Sequence, residues 1–284
     1  MIPAAFDYHR PTDLASVISL LQTHGDEARV LAGGHSLIPM MKLRMADVSH
    51  LIDLQDVSGL HDVTVAGRQV TLGAMVTQHD LIDHAELASV APLIREAALE
   101  IADPQVRYMG TVGGNLANGD PGNDMPGIMQ CLDASILLHG PDGDRTVAAR
   151  DYYEAAYMTE RRDDEVLVSV RFDAPTGGHA YVKQKRKIGD YATAAAAVVL
   201  TRSGDTVETA SVAMTNLSDT PVWSDAACQA LVGSACDEAA VKAAVDAMLG
   251  DIEPYESNHG PVEFKRHAAA SVLTRAIARA WERA

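Results

Sequence analysis

The sequence predicts an α+β fold in two parts. Runs of alternating apolar residues and runs with helical spacing succeed one another without regular strand–helix–strand order, which argues against a doubly wound sheet. A Pro- and Gly-rich junction, Ala174-Pro175-Thr176-Gly177-Gly178, separates two β-like runs and divides the chain. The 284 residues, 47% of them apolar, suit two domains with full cores, at 1–176 and 177–284.

The elements follow in order. Leu14, Val17, Ile18 and Leu21 share one helical face and predict a helix over 12–22, with Thr12 as its cap. Ala28-Arg29-Val30-Leu31 reads as a strand. Ser36 is placed to cap a helix over 37–43, with Pro39 in its first turn. Val63-Thr64-Val65 and Val70-Thr71-Leu72 alternate about Gly67 and predict a hairpin. Residues 77–102 carry Leu81, Leu87, Val90, Leu93, Ile94, Ala97 and Ala98 at helical spacing. Asp124 is expected to cap a helix over 125–132. Strands follow at 135–139 and 166–172, with a turn at Pro141-Asp142-Gly143 and an irregular Tyr-rich stretch between them. Beyond the junction come strands at 180–187 and 206–216, an Ala-rich apolar run at 191–201, and helices near 237–249 and 262–281.

Composition excludes several classes. Net charge is −16, from 23 Lys+Arg against 39 Asp+Glu, so no basic field attracts nucleic acid. Cys131, Cys228 and Cys236 are scattered without a CxxC, which excludes a disulfide framework or an iron–sulfur ligand set. Cys131, inside an apolar run, reads as a core thiol. No apolar run approaches the roughly eighteen residues of a membrane span. The N-terminus lacks a basic and apolar leader. A cytoplasmic location is the expectation, with association at the inner membrane face left open.

Two glycine-rich loops carry the chemistry. Ala32-Gly33-Gly34-His35-Ser36-Leu37 follows a strand, and Gly110-Thr111-Val112-Gly113-Gly114-Asn115-Leu116 lies about eighty residues on. Neither is GxGxxG or GxxxxGK[ST], so neither a Rossmann nor a P-loop site is indicated. Both are expected to act as backbone nests that close on one diphosphate from two sides. In an acidic chain, oriented N–H groups supply the partial positive charge that Lys and Arg do not. Nine residues after Asn115, Asp124 adds a carboxylate able to accept from ribityl or ribose hydroxyls. An amide, hydroxyls and a carboxylate around a diphosphate suit FAD.

The stretch from Ala32 to Arg44, AGGHSLIPMMKLR, resembles the first FAD loop of the flavoprotein subunits of molybdenum hydroxylases. That family spans xanthine dehydrogenase and aerobic carbon monoxide dehydrogenase. GTVGGNLANGDPGNDMP at 110–126 resembles the second loop. KQKRKIGDYATAAA at 183–196 resembles the opening of the family's C-terminal flavoprotein domain. The likeness covers essentially the whole chain and is closest to the carbon monoxide dehydrogenase branch.

The resemblance implies a two-part FAD-binding domain of the vanillyl-alcohol-oxidase/PCMH type, with subdomains at about 1–55 and 56–176. A smaller C-terminal domain of antiparallel sheet plus helices would follow at 177–284. It implies noncovalent FAD, wrapped by Ala32, Gly33, Gly34, His35, Ser36 and Leu37 on one side. Thr111, Val112, Gly113, Gly114, Asn115 and Ala117 would wrap the other. Asp124 would hold ribityl or ribose hydroxyls, or act as a plain helix cap. Leu167 would pack on a ring of the cofactor, or belong to the core. Lys185 matches a lysine beside the flavin, with Lys183 and Lys187 as neighbouring candidates and a solvated basic cluster as the alternative. Tyr191 would sit beside the isoalloxazine, or be a core or surface tyrosine. His35 reads as a backbone-positioned loop residue.

Partners are implied too: a small subunit with two 2Fe–2S clusters, a large subunit with molybdopterin, and a dimer of such heterotrimers. This subunit would pass electrons from the clusters to an external acceptor and hold no catalytic acid or base of its own. A purine, N-heterocycle or aldehyde hydroxylase, a stand-alone flavin oxidoreductase and a phosphate-binding module without redox function are the alternatives.

Overall fold

The computed structural model describes residues 1–284. Its first layer is a three-stranded parallel sheet. β1 (Asp7–His9) leads to α1 (Leu14–His24), β2 (Ala28–Leu31), α2 (Leu37–Lys42) and β3 (His50–Asp53), and the strand order is β1-β3-β2. Asp13, not Thr12, caps α1, its carboxylate accepting from the Ser16 N–H at 2.8 Å. The helix therefore starts and ends two residues later than its apolar stripe suggests. Val17, Ile18 and Leu21 bury that stripe against Ile52 and Leu54. β1 and β3 are too short and too polar at their ends to be read from alternation.

The second sheet is antiparallel. β4 (Val63–Ala66) and β5 (Gln69–Gly73) form the expected hairpin, with Gly67 at φ +64° in its turn. The helical stretch after it is three helices, α3 (Gln78–Asp83), α4 (Ala85–Val90) and α5 (Pro92–Glu100). Local chemistry makes the breaks. Thr77 and Asp80 form a capping box on α3, the His84 ring accepts from the Leu87 N–H at 3.2 Å, and Pro92 opens α5. α6 (Pro104–Arg107), α7 (Val112–Ala117) and α8 (Asp124–Cys131) follow. Asn123 occupies the cap position of α8, so Asp124 is its first helical residue.

The Tyr-rich stretch is more ordered than expected. β6 (Ser135–Gly140) and β7 (Gly143–Ala148) pair tightly, then come β8 (Tyr153–Ala155), β9 (Met158–Thr159) and β10 (Val166–Asp173). The strand order β4-β5-β10-β6-β7 brings the two ends of this segment together in mid-sheet.

The C-terminal sheet is β11 (Gly178–Gln184), β12 (Ala194–Ser203), β13 (Thr206–Thr215) and β14 (Val222–Trp223), paired in chain order and antiparallel. α9 (Asp225–Leu231), which the sequence reading missed, α10 (Glu238–Asp251) and α11 (Val262–Arg283) cover one face. The Ala-rich run is a strand buried on both faces. Ala195 and Ala197 join the core of the first part, while Ala196, Val198 and Leu200 join the core beneath the helices. Small residues let α8 approach closely: a Cβ on Gly127 would stand 2.3 Å from Thr215 Oγ1. Cys131 lies in that packing, and burial pushes its thiol up to about 12. No helix is long and apolar enough to cross a membrane.

Candidate functional site

The two glycine loops meet across one cleft but contribute different chemistry. The first leaves β2 and enters α2 through Gly34 at φ +72°. A Cβ on Gly33 would lie 2.0 Å from the Met109 carbonyl oxygen, so only glycine lets this loop rest on the backbone leading to the second. The five backbone N–H groups from Gly33 to Leu37 donate to no protein acceptor. Ser36 sits at the cap position of α2 without forming a capping bond, which leaves its hydroxyl to the cleft. This segment is a nest of free donors.

The second loop is not a nest. The Val112 N–H donates to Val76 O and the Gly113 N–H to Ala74 O, both at 2.8 Å. Thr111 caps α7 by accepting from the Gly114 N–H at 3.0 Å, and the Asn115 N–H donates to Thr111 O. These amides are engaged in seating the loop against the end of β5. Gly113 is required there because a Cβ would stand 2.5 Å from that of Ala74. The expectation of two equivalent nests is corrected: one loop supplies amides, and the other supplies a wall and side chains. Thr111, Gly113, Gly114, Asn115 and Ala117 line the cleft, whereas Val112 is wholly buried in the core behind it. Asn115 O accepts from Asn123 Nδ2 at 2.7 Å and its Oδ1 from the Met125 N–H at 3.3 Å, leaving its side-chain NH₂ without a protein acceptor.

Asp124 lies buried at the start of α8, where the helix dipole favours its charge. Its Oδ2 is 2.8 Å from Lys183 Nζ, and its Oδ1 accepts from the Tyr181 hydroxyl. Burial, reinforced by Asp124, holds that phenol well above its ordinary range. Lys183 also donates to Glu100 O at 3.2 Å and lines the cleft. Lys185 does not line it; its ammonium pairs with the Glu100 carboxylate at 2.7 Å. Strand register decides this: Tyr181 and Lys183 share a face of β11, and the strand ends at Gln184.

The remaining expected residues are also at the cleft. Ala32 lines it beside the nest, and His35 and Leu37 line it as members of the nest. Leu167, at a register shift in β10, belongs both to the cleft wall and to the core. Tyr191 is half-exposed at the rim, its ring against Gly122, where a Cβ would stand 2.7 Å away. Burial and the nearby Asp120 raise its phenol.

Gln78 was not anticipated. It is 2% exposed, lines the cleft, and neither its amide oxygen nor its amide nitrogen has a protein partner. An orphaned buried amide is costly unless a bound group completes it. Glu165 was missed as well: its carboxylate borders the cleft and takes Arg145 Nε at 2.6 Å and Nη2 at 2.8 Å.

The cleft encloses about 700 Å³, within the usual range for a cofactor site. Five free amides, the Ser36 and Thr111 hydroxyls, the Asn115 and Gln78 amides and the Lys183 ammonium give the cleft a donor-rich lining in an acidic protein. That donor set fits a dinucleotide diphosphate with its polyol and ring carbonyls.

Comparison with known proteins agrees. Residues 4–175 match the FAD binding domain in molybdopterin dehydrogenase, and residues 179–280 match the CO dehydrogenase flavoprotein C-terminal domain. The chain is 53% identical to the carbon monoxide dehydrogenase medium chain of Afipia carboxidovorans, over 100% of this chain and 99% of that one. It is 42% identical to the carbon monoxide dehydrogenase medium chain of Hydrogenophaga pseudoflava, over 100% and 99%. Its fold superposes on a chain of the cyanide-inactivated Cu,Mo-CO dehydrogenase crystal structure with a TM-score of 0.98 at 53% identity, covering 100% of both chains. The chain is thus an oxidoreductase subunit that belongs to the FAD-binding family of the molybdopterin dehydrogenases, the family of the carbon monoxide dehydrogenase medium chains.

Proposed function

We propose that this chain holds one FAD noncovalently in the cleft and serves as the electron-delivering medium subunit of a heterotrimeric molybdenum hydroxylase that oxidises carbon monoxide. The observation that carries the FAD site is the run of unpaired amides from Gly33 to Leu37 lining one cavity together with Thr111 and Lys183. Carbon monoxide as the substrate is supported by full-length likeness to two carbon monoxide dehydrogenase medium chains. Substrate oxidation would occur on a molybdenum-bearing large subunit, with a 2Fe–2S small subunit relaying electrons to this chain and an external acceptor taking them. The dimer of heterotrimers and the cytoplasmic setting implied by the resemblance belong to the same proposal.

When bound, FAD supplies one- and two-electron redox chemistry. The residues of this chain would place and tune it. Gly33 to Leu37 bind phosphate oxygens through N–H groups. Thr111 and Asn115 would add a hydroxyl and an amide from the second loop. Asp124 fixes the Lys183 ammonium, whose charge would stabilise negative charge at a ring carbonyl edge. Gln78 would offer its unpaired amide nitrogen and oxygen to the bound cofactor. Leu167 would supply an apolar wall and Tyr191 would flank the cofactor at the rim of the cleft.

The test is reconstitution. The full chain, mixed with FAD and desalted, should retain about one equivalent, released by acid or heat. Co-expression with an iron–sulfur and a molybdenum subunit of a carbon monoxide dehydrogenase should yield carbon monoxide:acceptor oxidoreductase activity. A chain that neither takes up FAD alone nor carries it in the assembled complex would sink the proposal. NAD(P)H oxidation by the lone chain would favour a self-contained flavin oxidoreductase.

A further inference from the structure

A second constellation lies outside the cleft. His9 ends β1, His24 ends α1 and His50 opens β3, and these separate elements bring three imidazoles together. One nitrogen from each lies within 4.8 Å of the others. His24 and His50 stack with ring centroids 3.6 Å apart. His9 Nε2 and His50 Nδ1 are 3.1 Å apart, and the Asp7 carboxylate is 3.8 Å from His50 Nδ1. Apart from that His9–His50 contact, no hydrogen bond holds the rings. All three are half-buried, so they are held by the fold yet open to a small ion.

We propose that His9, His24 and His50 bind a divalent first-row transition metal ion of the zinc class. Neutral imidazole is the ligand type such ions take, and a protein of net charge −16 attracts a cation to a site whose own ligands carry no opposing charge. Zinc–nitrogen bonds of about 2.0–2.1 Å in a tetrahedron set nitrogens about 3.4 Å apart. To reach that geometry the stacked His24 and His50 rings must turn out of their stack so that their in-plane lone pairs converge on the ion. Asp7 or a water completes the fourth position. The ion would staple the N-terminal strand to the end of α1 and to β3. β2 pairs with β3 throughout and releases the nest-forming loop from its far end, so the staple stiffens the sheet that presents the nest.

The test uses the full chain without a polyhistidine tag, stripped with a chelator. Titration with Co²⁺ should give one equivalent with the intense visible bands of a four-coordinate ion, displaced by Zn²⁺. Zn²⁺ should raise the thermal unfolding midpoint of the wild type. His9→Gln and His24→Gln should each raise the Kd at least tenfold and abolish that rise, while FAD uptake stays unchanged. His50→Gln sits within the sheet; should it fail to fold, His24→Gln decides. A wild type with no Co²⁺ spectrum, or a His9→Gln/His24→Gln double variant that binds as tightly as wild type, overturns the proposal.

Discussion

Lys183 Nζ stands 2.8 Å from Asp124 Oδ2, with the two side chains 1% and 6% exposed. The pair joins the first strand of the C-terminal sheet to the first turn of α8, and so ties the second part of the chain to the floor of the cleft. Removing one partner of such a pair leaves a buried charge alone, at about 3–5 kcal/mol. K183M should therefore lower stability by that order in urea unfolding and reduce FAD retention at least tenfold. K183M/D124N should recover part of the stability without the affinity. K185M breaks a pair whose carboxylate is 42% exposed and should cost about 0–1 kcal/mol, with flavin content intact. Equal flavin loss in K183M and K185M would refute the assignment.

The choice between those lysines shows where sequence reasoning reaches its limit. The glycine steps and Asp124 announce themselves as local chemical signatures, whereas Tyr191 stands out only through the family resemblance. Which lysine enters the cleft depends on where β11 stops and which face Ala195 turns toward it. Alternation of Tyr181 and Lys183 about the inward-packed Val182 was the available signal. The second loop misled for a related reason. Its amides find acceptors at Ala74 and Val76, far earlier in the chain, and no local pattern reports that. β1 is a three-residue strand formed only through its pairing with β3, β3 is held between β1 and β2, and α9 is two turns of helix packed on β13.

Gly33 tests the meeting of the two loops. A methyl there would press on the Met109 carbonyl, which cannot yield without moving the backbone. G33A should cost at least the ~1–3 kcal/mol typical of overpacking and abolish FAD uptake. G67A is the control. Gly67 is left-handed at φ +64° with open space around it, so the change should cost about 1–2 kcal/mol from the backbone alone and leave FAD uptake unchanged. Both proteins are compared by thermal unfolding and by quenching of flavin fluorescence.

Gln78 separates binding from folding. Its amide is buried with neither polar atom paired in the protein, so without a bound group it is a burden on the fold. Q78L should keep or raise the stability of the flavin-free chain by up to about 1–3 kcal/mol, and weaken FAD binding by about tenfold. A parallel fall in both quantities would mark Gln78 as a structural residue only.

Glu165 gives the fold an acid-side dependence. The Arg145 guanidinium, closed on it by two hydrogen bonds, outweighs the opposing effect of burial, and the Arg162 N–H at 2.8 Å adds to it. Its carboxyl is held below the ordinary range. A depressed folded value means that the carboxylate's contribution is complete above the unfolded value near ~4.3. It is lost as pH falls through the lower folded value. E165Q should cost on the order of 3 kcal/mol at pH 7, and the gap to wild type should begin to narrow as pH falls below ~4.3, where the unfolded chain's carboxyl takes up its proton first, and close further as the folded carboxyl follows at lower pH. Urea unfolding at pH 7, 5, 4 and 3.5 measures that gap directly. A gap of constant size across the series would mean that Glu165 acts through shape and hydrogen bonding rather than through its charge.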